Sequence, residues 1–189
     1  SHPGIAPPMN GLFPWQDALW RQHMPAAAQR HHALLLRGPR GVGKRRLAEV
    51  IGQSLLCMAP AASALPCGAC QACGWIAQAQ HPDFLLIEPR IDADAEGEGA
   101  GTTKKAPAQI KVDQIRDAVG KLALSTHQGG RRIVLIDPAE GMNANAANAL
   151  LKTLEEPPGA ALIVLVTEQP GRLPATIRSR CRQIRIPTP

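Results

Sequence analysis

The sequence has few aromatic residues and no long hydrophobic run, and both absences limit what the protein can do. Its 189 residues include two Phe, three Trp and no Tyr, which argues against a single-strand nucleic-acid binder built on stacked rings. The longest apolar run, residues 160–166, is far shorter than the roughly 18–20 residues of a membrane-spanning helix. We therefore expect a cytoplasmic protein with no membrane partner.

No secretion signal opens the sequence, and the number of cysteines is odd. Five Cys without such a signal argue against a disulfide framework and favour a metal site in a reducing cytosol. The net charge of +6 permits a nucleic-acid neighbour but does not require one. A hydrophobic content of 44% predicts a globular core.

Short apolar segments alternate with segments of helical periodicity along the chain. This alternation predicts an α/β fold with a parallel five-stranded sheet. The predicted helices cover residues 15–32 (interrupted near Pro25), 45–56, 112–124 and 144–156. The predicted strands cover residues 33–36, 83–88, 132–137, 161–167 and 182–186.

Two segments lack the apolar residues needed to order themselves. Residues 1–13 are rich in Pro and Gly, and residues 89–108 alternate acidic residues with Ala and Gly. Because such segments bury little apolar area, we expect a flexible N-terminus over 1–13 and a mobile loop over 89–108. The rest of 14–189 is predicted to be one module.

A glycine-rich turn follows the first predicted strand and precedes a helix. Gly38, Gly43 and Lys44 meet the spacing G-x-x-x-x-G-K, and Gly41 adds a further glycine. Glycines in this context let backbone N–H groups converge on a phosphate, and the Lys reaches the β and γ phosphates. The turn predicts a nucleotide-binding loop; a glycine-rich turn without a ligand is the alternative.

Two residues that ATP hydrolysis requires are replaced. Arg45 stands where a Ser or Thr hydroxyl would bind Mg²⁺, and a guanidinium offers no acceptor. The third strand ends at Asp137, the position of a Mg²⁺-associated carboxylate, but Pro138 follows where a Glu would activate water. Glu140 is not expected to substitute. We therefore expect no hydrolysis and no bound Mg²⁺, while ATP binding without turnover stays open.

Four cysteines lie close together after the helix that follows the glycine-rich turn. Four thiolates complete the tetrahedral shell of a structural Zn²⁺ and leave no position for water. We predict one such ion, with buried thiols as the alternative. His81 is expected to be a turn residue, and Cys181 a small buried apolar residue. The predicted ligands are Cys57, Cys67, Cys70 and Cys73.

Taken together, these motifs resemble the bacterial clamp-loader family of AAA+ proteins. Residues 148–158 (NALLKTLEEPP) and 173–181 (LPATIRSRC) are very similar to that family's signatures. The resemblance covers roughly residues 14–187. Two kinds of subunit in this family carry a zinc module: the ATP-hydrolysing gamma/tau subunit and a stator that does not hydrolyse ATP.

The stator is the better match. Residues 14–15, 32–35 and 110–116 look like that subunit, and the replaced Mg²⁺ and Glu positions agree. The resemblance implies a RecA-like P-loop module of three layers, as the first part of a longer protein whose lid and collar domains are absent here. It also implies a sensor role for Thr167.

The resemblance further implies a function in DNA replication. A stator works with gamma/tau and delta subunits, within the DNA polymerase III assembly, to load the sliding clamp on primed DNA. In this family Arg180, within Ser179-Arg180-Cys181, would be an arginine finger presented to the nucleotide of a neighbouring subunit. The alternatives are an active gamma/tau-like ATPase and a zinc-containing nucleic-acid-binding module.

Overall fold

Five parallel strands form the centre of the structure, a computed structural model that describes residues 11–24, 26–90, 108–124 and 130–189. They lie in the order β2-β3-β4-β1-β5, and every neighbouring pair is parallel. The predicted α/β fold with a parallel five-stranded sheet is therefore confirmed. The strands are β1 (Ala33–Arg37), β2 (Phe84–Ile87), β3 (Arg132–Ile136), β4 (Ala161–Thr167) and β5 (Arg182–Arg185).

Helices connect the strands in the described part of the chain. They are α1 (Asp17–His23), α2 (Ala26–Arg30), α3 (Lys44–Leu56), α4 (Gln71–Ala77), α5 (Val112–Leu122), α6 (Ala144–Glu155) and α7 (Ala175–Ser179). Short 3₁₀ turns lie at Pro14–Gln16, Ala139–Gly141 and Pro170–Arg172. The helix predicted over 15–32 is broken near residue 25, as expected.

Apolar side chains pack on both faces of the sheet and give the fold three layers. Successive residues of a strand point to opposite faces. Accordingly, Leu34 and Leu36 of β1 share a core with Leu47 of α3. Leu35 belongs to a second core with Leu150 of α6. Every residue of β4 is buried, as expected for a central strand covered on both sides.

The ordered structure begins before residue 14, where the flexible N-terminus was expected to end. Leu12 is 1% exposed and belongs to the core that includes α3. The Gly11 carbonyl accepts a hydrogen bond of 2.9 Å from Arg46 Nε. Residues 1–10 lie outside the described residues, and so do residues 91–107, which make up most of the loop predicted to be mobile.

Close packing between α3 and the edge strand β2 depends on Gly52. A Cβ built on Gly52 would overlap the Phe84 ring, with Cδ2 at 2.8 Å. Gly52 is buried within α3, so a methyl group there must displace the ring. The missing side chain therefore lets α3, which begins at the glycine-rich turn, lie directly against the sheet.

We expect Gly52→Ala to lower the free energy of unfolding by about 1–3 kcal/mol, because overpacking outweighs the better helix propensity of Ala. Gly120→Ala is the matched control: Gly120 is also helical, but a Cβ placed there would meet nothing within 4 Å. There, Ala should raise the free energy of unfolding by about 0.5–1 kcal/mol. Denaturant unfolding measures both, and equal effects would contradict the packing argument.

Candidate nucleotide site and cysteine cluster

The glycine-rich turn lies at the carboxyl edge of the sheet, together with the other residues predicted to surround a nucleotide. It joins β1 to α3. Arg37, at the end of β1, pairs with Thr167 at the end of β4, and Asp137 directly follows β3. Ligands of open α/β sheets bind outside this edge. The structure therefore brings together the turn, Asp137 and Thr167.

The turn needs glycine for two different reasons. A Cβ on Gly38 would lie 3.0 Å from the Ile186 carbonyl oxygen, so the backbones pass too close for a side chain. Gly43 has a φ of +78°, and its Cβ would lie 2.6 Å from Phe13 Cδ2. Left-handed φ values favour glycine. The glycines of the motif are thus required by the fold as well as by any phosphate.

The segment before α1 braces the turn from one side. Gln16 is fully buried, and its Nε2 donates to the carbonyls of Val42 at 3.1 Å and Gly43 at 3.0 Å. Trp15 Nε1 donates to the same Val42 oxygen at 3.0 Å, and the Trp15 ring stacks on Phe13 with centroids 4.8 Å apart. The shape of the turn is therefore fixed by the protein itself.

Lys44 is held inside the turn. Its side chain is buried, and Nζ donates to the Pro39 carbonyl at 2.6 Å. Burial lowers the pKa of Lys44, although the nearby carboxylates of Glu168, Asp137 and Glu140 oppose that shift. To bind a phosphate, the Lys44 amine would have to give up its hydrogen bond to the Pro39 carbonyl.

Arg45 is paired with the carboxylate that would bind a metal. Its Nη1 lies 3.1 Å from Asp137 Oδ2 and 2.9 Å from Glu88 Oε1, and its Nε lies 2.9 Å from Glu49 Oε1. Glu88 reaches this position because Ile87 and Ile136 are partners in the β2–β3 ladder. The Asp137 amide also donates to the Ile87 carbonyl at 3.1 Å. One guanidinium therefore joins three carboxylates.

The guanidinium supplies the positive charge between these three carboxylates. Burial opposes its charge, but hydrogen bonds to Glu88, Asp137 and Glu49 raise the pKa of Arg45, so it stays cationic at all ordinary pH values. Each pair is partly exposed, and such pairs add only about 0–1 kcal/mol of stability. The larger consequence is that Asp137 is already neutralised by an internal cation.

Two further side chains near the turn, Thr167 and Glu140, accept hydrogen bonds from backbone amides. Thr167 is fully buried, and its Oγ1 accepts the Gln169 amide at 3.1 Å. One carboxylate oxygen of Glu140, Oε1, accepts the Glu168 amide at 3.2 Å. Pro138 follows Asp137 and offers no group that could activate water. The second carboxylate oxygen of Glu140, Oε2, is buried and has no hydrogen-bond partner among the described residues, so the expectation that Glu140 does not substitute stays a prediction.

The four clustered cysteines bring their sulfur atoms together. All four Sγ atoms lie within 4.8 Å of one another, with 3.9 Å between Cys57 and Cys70 and 4.0 Å between Cys67 and Cys73. Tetrahedral sulfurs at the Zn–S length of about 2.3 Å are about 3.8 Å apart. The cluster can therefore hold a metal ion, and its dimensions fit zinc.

Backbone amides point at the sulfurs, as a thiolate cluster requires. Cys67 Sγ accepts the amides of Ala69 and Cys70 at 3.4 and 3.3 Å, and Cys70 Sγ accepts the Cys73 amide. At Cys70, burial favours the neutral thiol, but amide donors from Cys73 and Met58 help lower its pKa to about 6. Burial raises the pKa of Cys73 to about 12, so metal binding there must release a proton.

His81 and Cys181 do not belong to this cluster. His81 is buried, and its Nδ1 accepts the Asp83 amide at 3.0 Å, so it is a turn residue as predicted. Cys181 is half-buried against the core under α6, which is more exposed than expected. Burial raises the pKa of its thiol to about 12.

Arg180 lies near the amino ends of the strands, whereas the turn lies at their carboxyl ends. It follows α7 and precedes β5, whose first residue Arg182 pairs with Leu34 near the start of β1. At about 3.3 Å per strand residue, this end of the strands is roughly 15 Å from the turn. Arg180 therefore does not contribute to its own chain's nucleotide site, and its side chain is exposed and paired with Glu155 at 3.1 Å.

Several residues that define these sites were not singled out from the sequence. Glu49 follows Arg45 by four positions, a helical ion-pair spacing that could have revealed it. Glu88 directly follows a strand, so its place at the carboxyl edge could also have been predicted. The contacts of Gln16 and Glu155 carried no comparable signal, because their partners are far away in the sequence, although Glu155 lies within the signature over residues 148–158.

Comparisons with known proteins agree on one family. The family model described as "DNA polymerase III, delta subunit" matches residues 18–189. The chain is 47% identical over 181 residues to DNA polymerase III subunit delta' of Pseudomonas aeruginosa, covering 96% of this chain and 50% of that protein. The corresponding subunit of Escherichia coli is 36% identical over 156 residues, covering 82% of this chain and 42% of the relative. The chain thus spans about half the length of these relatives.

Two further similarities involve the gamma and tau subunits. DNA polymerase III subunit tau of Escherichia coli is 35% identical over 156 residues, which are 82% of this chain and 22% of that protein. A crystal structure of a DNA polymerase III gamma subunit-related protein from Thermotoga maritima matches with a TM-score of 0.61 and 26% identity, over 93% of this chain and 46% of that one. No helix in the described residues is long and apolar enough to cross a membrane.

We expect Arg45→Thr to create a weak divalent-cation site, because it leaves Asp137 and Glu88 without their internal cation and adds a hydroxyl ligand. Mn²⁺ titration should show binding at about 10⁻⁴–10⁻³ M, the range of weak oxygen-ligand sites. Arg46→Thr is the matched control. It removes the same charge one residue away, where Arg46 contacts Glu49 at 3.6 Å, and leaves Asp137 paired. Equal Mn²⁺ binding by both variants would contradict the assignment.

Proposed function

We propose, on the premise that the chain belongs to the DNA polymerase III delta-subunit family, that it is the first module of a delta-prime subunit that does not hydrolyse ATP. In this role it is a stator: a fixed subunit of the clamp loader against which the ATP-hydrolysing subunits move. The 47% identity to a delta-prime subunit over 96% of the chain supports this assignment. The protein would then act in DNA replication in the cytoplasm.

The ion pair between Arg45 and Asp137 is the observation that carries the loss of hydrolysis. Phosphoryl transfer is catalysed chiefly by a metal ion and by groups that position the attacking nucleophile. Arg45 neutralises Asp137 at 3.1 Å, and Pro138 replaces the water-activating residue. A gamma/tau-like ATPase would need both functions, so this alternative is disfavoured. The module is therefore not an ATPase on its own.

The partners follow from the assembly in which such a subunit works. We assign gamma/tau and delta subunits as its direct partners, and the sliding clamp and primed DNA as partners through the complex. The similarity to a tau subunit over 82% of the chain supports a shared architecture among the subunits. A stator of this kind needs no nucleotide turnover of its own, because its contribution is structural and in trans.

Arg180 would supply that contribution in trans. Its side chain is exposed, and it lies at the sheet edge opposite its own nucleotide turn. A guanidinium is planar and always charged, so it can neutralise charge that develops on the γ-phosphate of a neighbouring subunit's ATP. Because Arg180 lies too far from its own chain's turn to serve that site, we assign it as an arginine finger for the nucleotide of a neighbouring subunit.

The cysteine cluster would hold one structural Zn²⁺. Four sulfur ligands within 4.8 Å of one another fit its tetrahedral shell and leave no open coordination position. The ion would tie α4 to the end of α3, since Cys57 follows α3 and Cys73 lies in α4. The segment between them has few buried residues of its own, so the metal would replace a core.

We expect the purified protein to contain about one zinc ion per chain by elemental analysis. Cys70→Ser should reduce the zinc content to near zero and lower the thermal midpoint, because the remaining ligands cannot complete the shell. Cys181→Ser removes a thiol outside the cluster and should leave the zinc content unchanged. A purified protein without zinc whose thermal midpoint equals that of Cys70→Ser would contradict the proposed zinc site.

We expect Arg180→Ala to lower DNA-stimulated ATP hydrolysis and clamp loading by the reconstituted complex, while fold and zinc content stay unchanged. An arginine finger can contribute about 10³-fold or more at the site it serves, so that site should lose nearly all turnover. Arg185→Ala is the control, because it removes an exposed positive charge at the other end of β5. If both variants behave alike, Arg180 belongs only to a basic surface.

A further inference from the structure

Glu155 and Arg180 form an ion pair that joins two different elements of the fold. Arg180 Nη2 lies 3.1 Å from Glu155 Oε1, and the two side chains are 43% and 44% exposed. Glu155 is the last residue of α6, and Arg180 directly follows α7. The contact therefore fixes an exposed Arg side chain to a separate helix at the surface.

Both ends of this pair rest on rigid backbone. Leu150 and Leu154, both 2% exposed, hold the last turns of α6 in the core. The Arg180 amide donates to the Ile177 carbonyl at 3.1 Å, and Ile177 is 1% exposed. Because buried side chains anchor both backbones, the ion pair restricts the directions in which the guanidinium can point.

The pair leaves most of the guanidinium available for another ligand. A guanidinium has five N–H donors in a fixed planar fork, and Glu155 contacts one terminal nitrogen, Nη2. The second N–H of Nη2 can still pair with a donor on Nη1 or Nε and bind a phosphate in the two-pronged manner typical of Arg. Glu155 can therefore hold Arg180 without blocking it.

The end of α6 favours this arrangement electrostatically. The carboxyl end of a helix carries partial negative charge, so a carboxylate there is unfavourable unless a cation neutralises it. Arg180 supplies that cation, whereas Glu156, the next residue, has no ion pair among the described residues. The same side chain thus neutralises both Glu155 and the helix end.

We propose that Glu155 is a positioning residue for Arg180, which orders the guanidinium so that its remaining donors face the nucleotide phosphates of the adjacent subunit. This inference rests on the proposed finger function of Arg180. An Arg side chain without a partner samples many rotamers, and ordering it before the subunits meet removes that cost from the transition state. Glu155 itself touches no phosphate.

The test uses the full-length protein in the reconstituted complex, with steady-state ATP hydrolysis in the presence of primed DNA. Glu155→Gln should lower kcat at the affected site by about two- to fivefold, the range expected for losing one exposed ion pair, and should leave KM for ATP unchanged. Glu155→Asp should recover part of the loss. Glu156→Gln, a neighbouring neutralisation, should have no effect.

A double variant separates positioning from general damage. If Glu155 acts only through Arg180, adding Glu155→Gln to Arg180→Ala should change nothing further. An additional loss in the double variant would overturn the proposal, as would equal behaviour of Glu155→Gln and Glu156→Gln. If Arg180→Ala itself has no effect, the finger function fails as well. If Arg180→Ala acts and Glu155→Gln does not, only the positioning role fails.

Discussion

The ion pair between Arg45 and Asp137 is the contact on which the proposed function depends. In an active P-loop ATPase the corresponding positions share a metal ion with the nucleotide. Here the guanidinium of the turn meets Asp137 at 3.1 Å and Glu88 at 2.9 Å, so the cation is built into the protein. The turn has the sequence and position of a phosphate loop, while the Asp137 carboxylate is paired with a cation of the protein itself.

In the proposed function, the carboxyl and amino ends of the strands have different roles. The turn lies at the carboxyl end of the strands. Gln16 and Lys44 hydrogen-bond to its backbone carbonyls, so the shape of the turn does not depend on a bound ligand. The amino end carries Arg180, held by Glu155 at the end of α6. Under the proposed function, the module does no chemistry at the carboxyl end of the strands and supports a neighbouring subunit's chemistry from the amino end.

Much of this arrangement could be predicted from the sequence, and membership of the DNA polymerase III delta-subunit family confirms the resemblance drawn from its motifs. The five strands were predictable because continuous apolar runs are typical of buried parallel strands. The helices α4 and α7 were missed because five to seven residues show no clear periodicity. In addition, the N-cap residue of α4 is Cys70, whose sulfur accepts the Cys73 amide; Cys is not among the usual N-cap residues. The contacts of Gln16 and Glu155 join residues distant in sequence, so only the folded chain reveals them.

The most direct test of the proposed lack of ATPase activity is the rate of Mg²⁺-dependent ATP hydrolysis by the intact, isolated protein, compared with its Lys44→Met variant. Met keeps the buried stem of Lys44 packed and removes only the amine that could reach a phosphate. We predict the same background rate for both proteins, with or without primed DNA. Mg²⁺-dependent turnover that Lys44→Met abolishes would contradict this prediction, because it would show that Arg45 does not prevent the site from working as an ATPase.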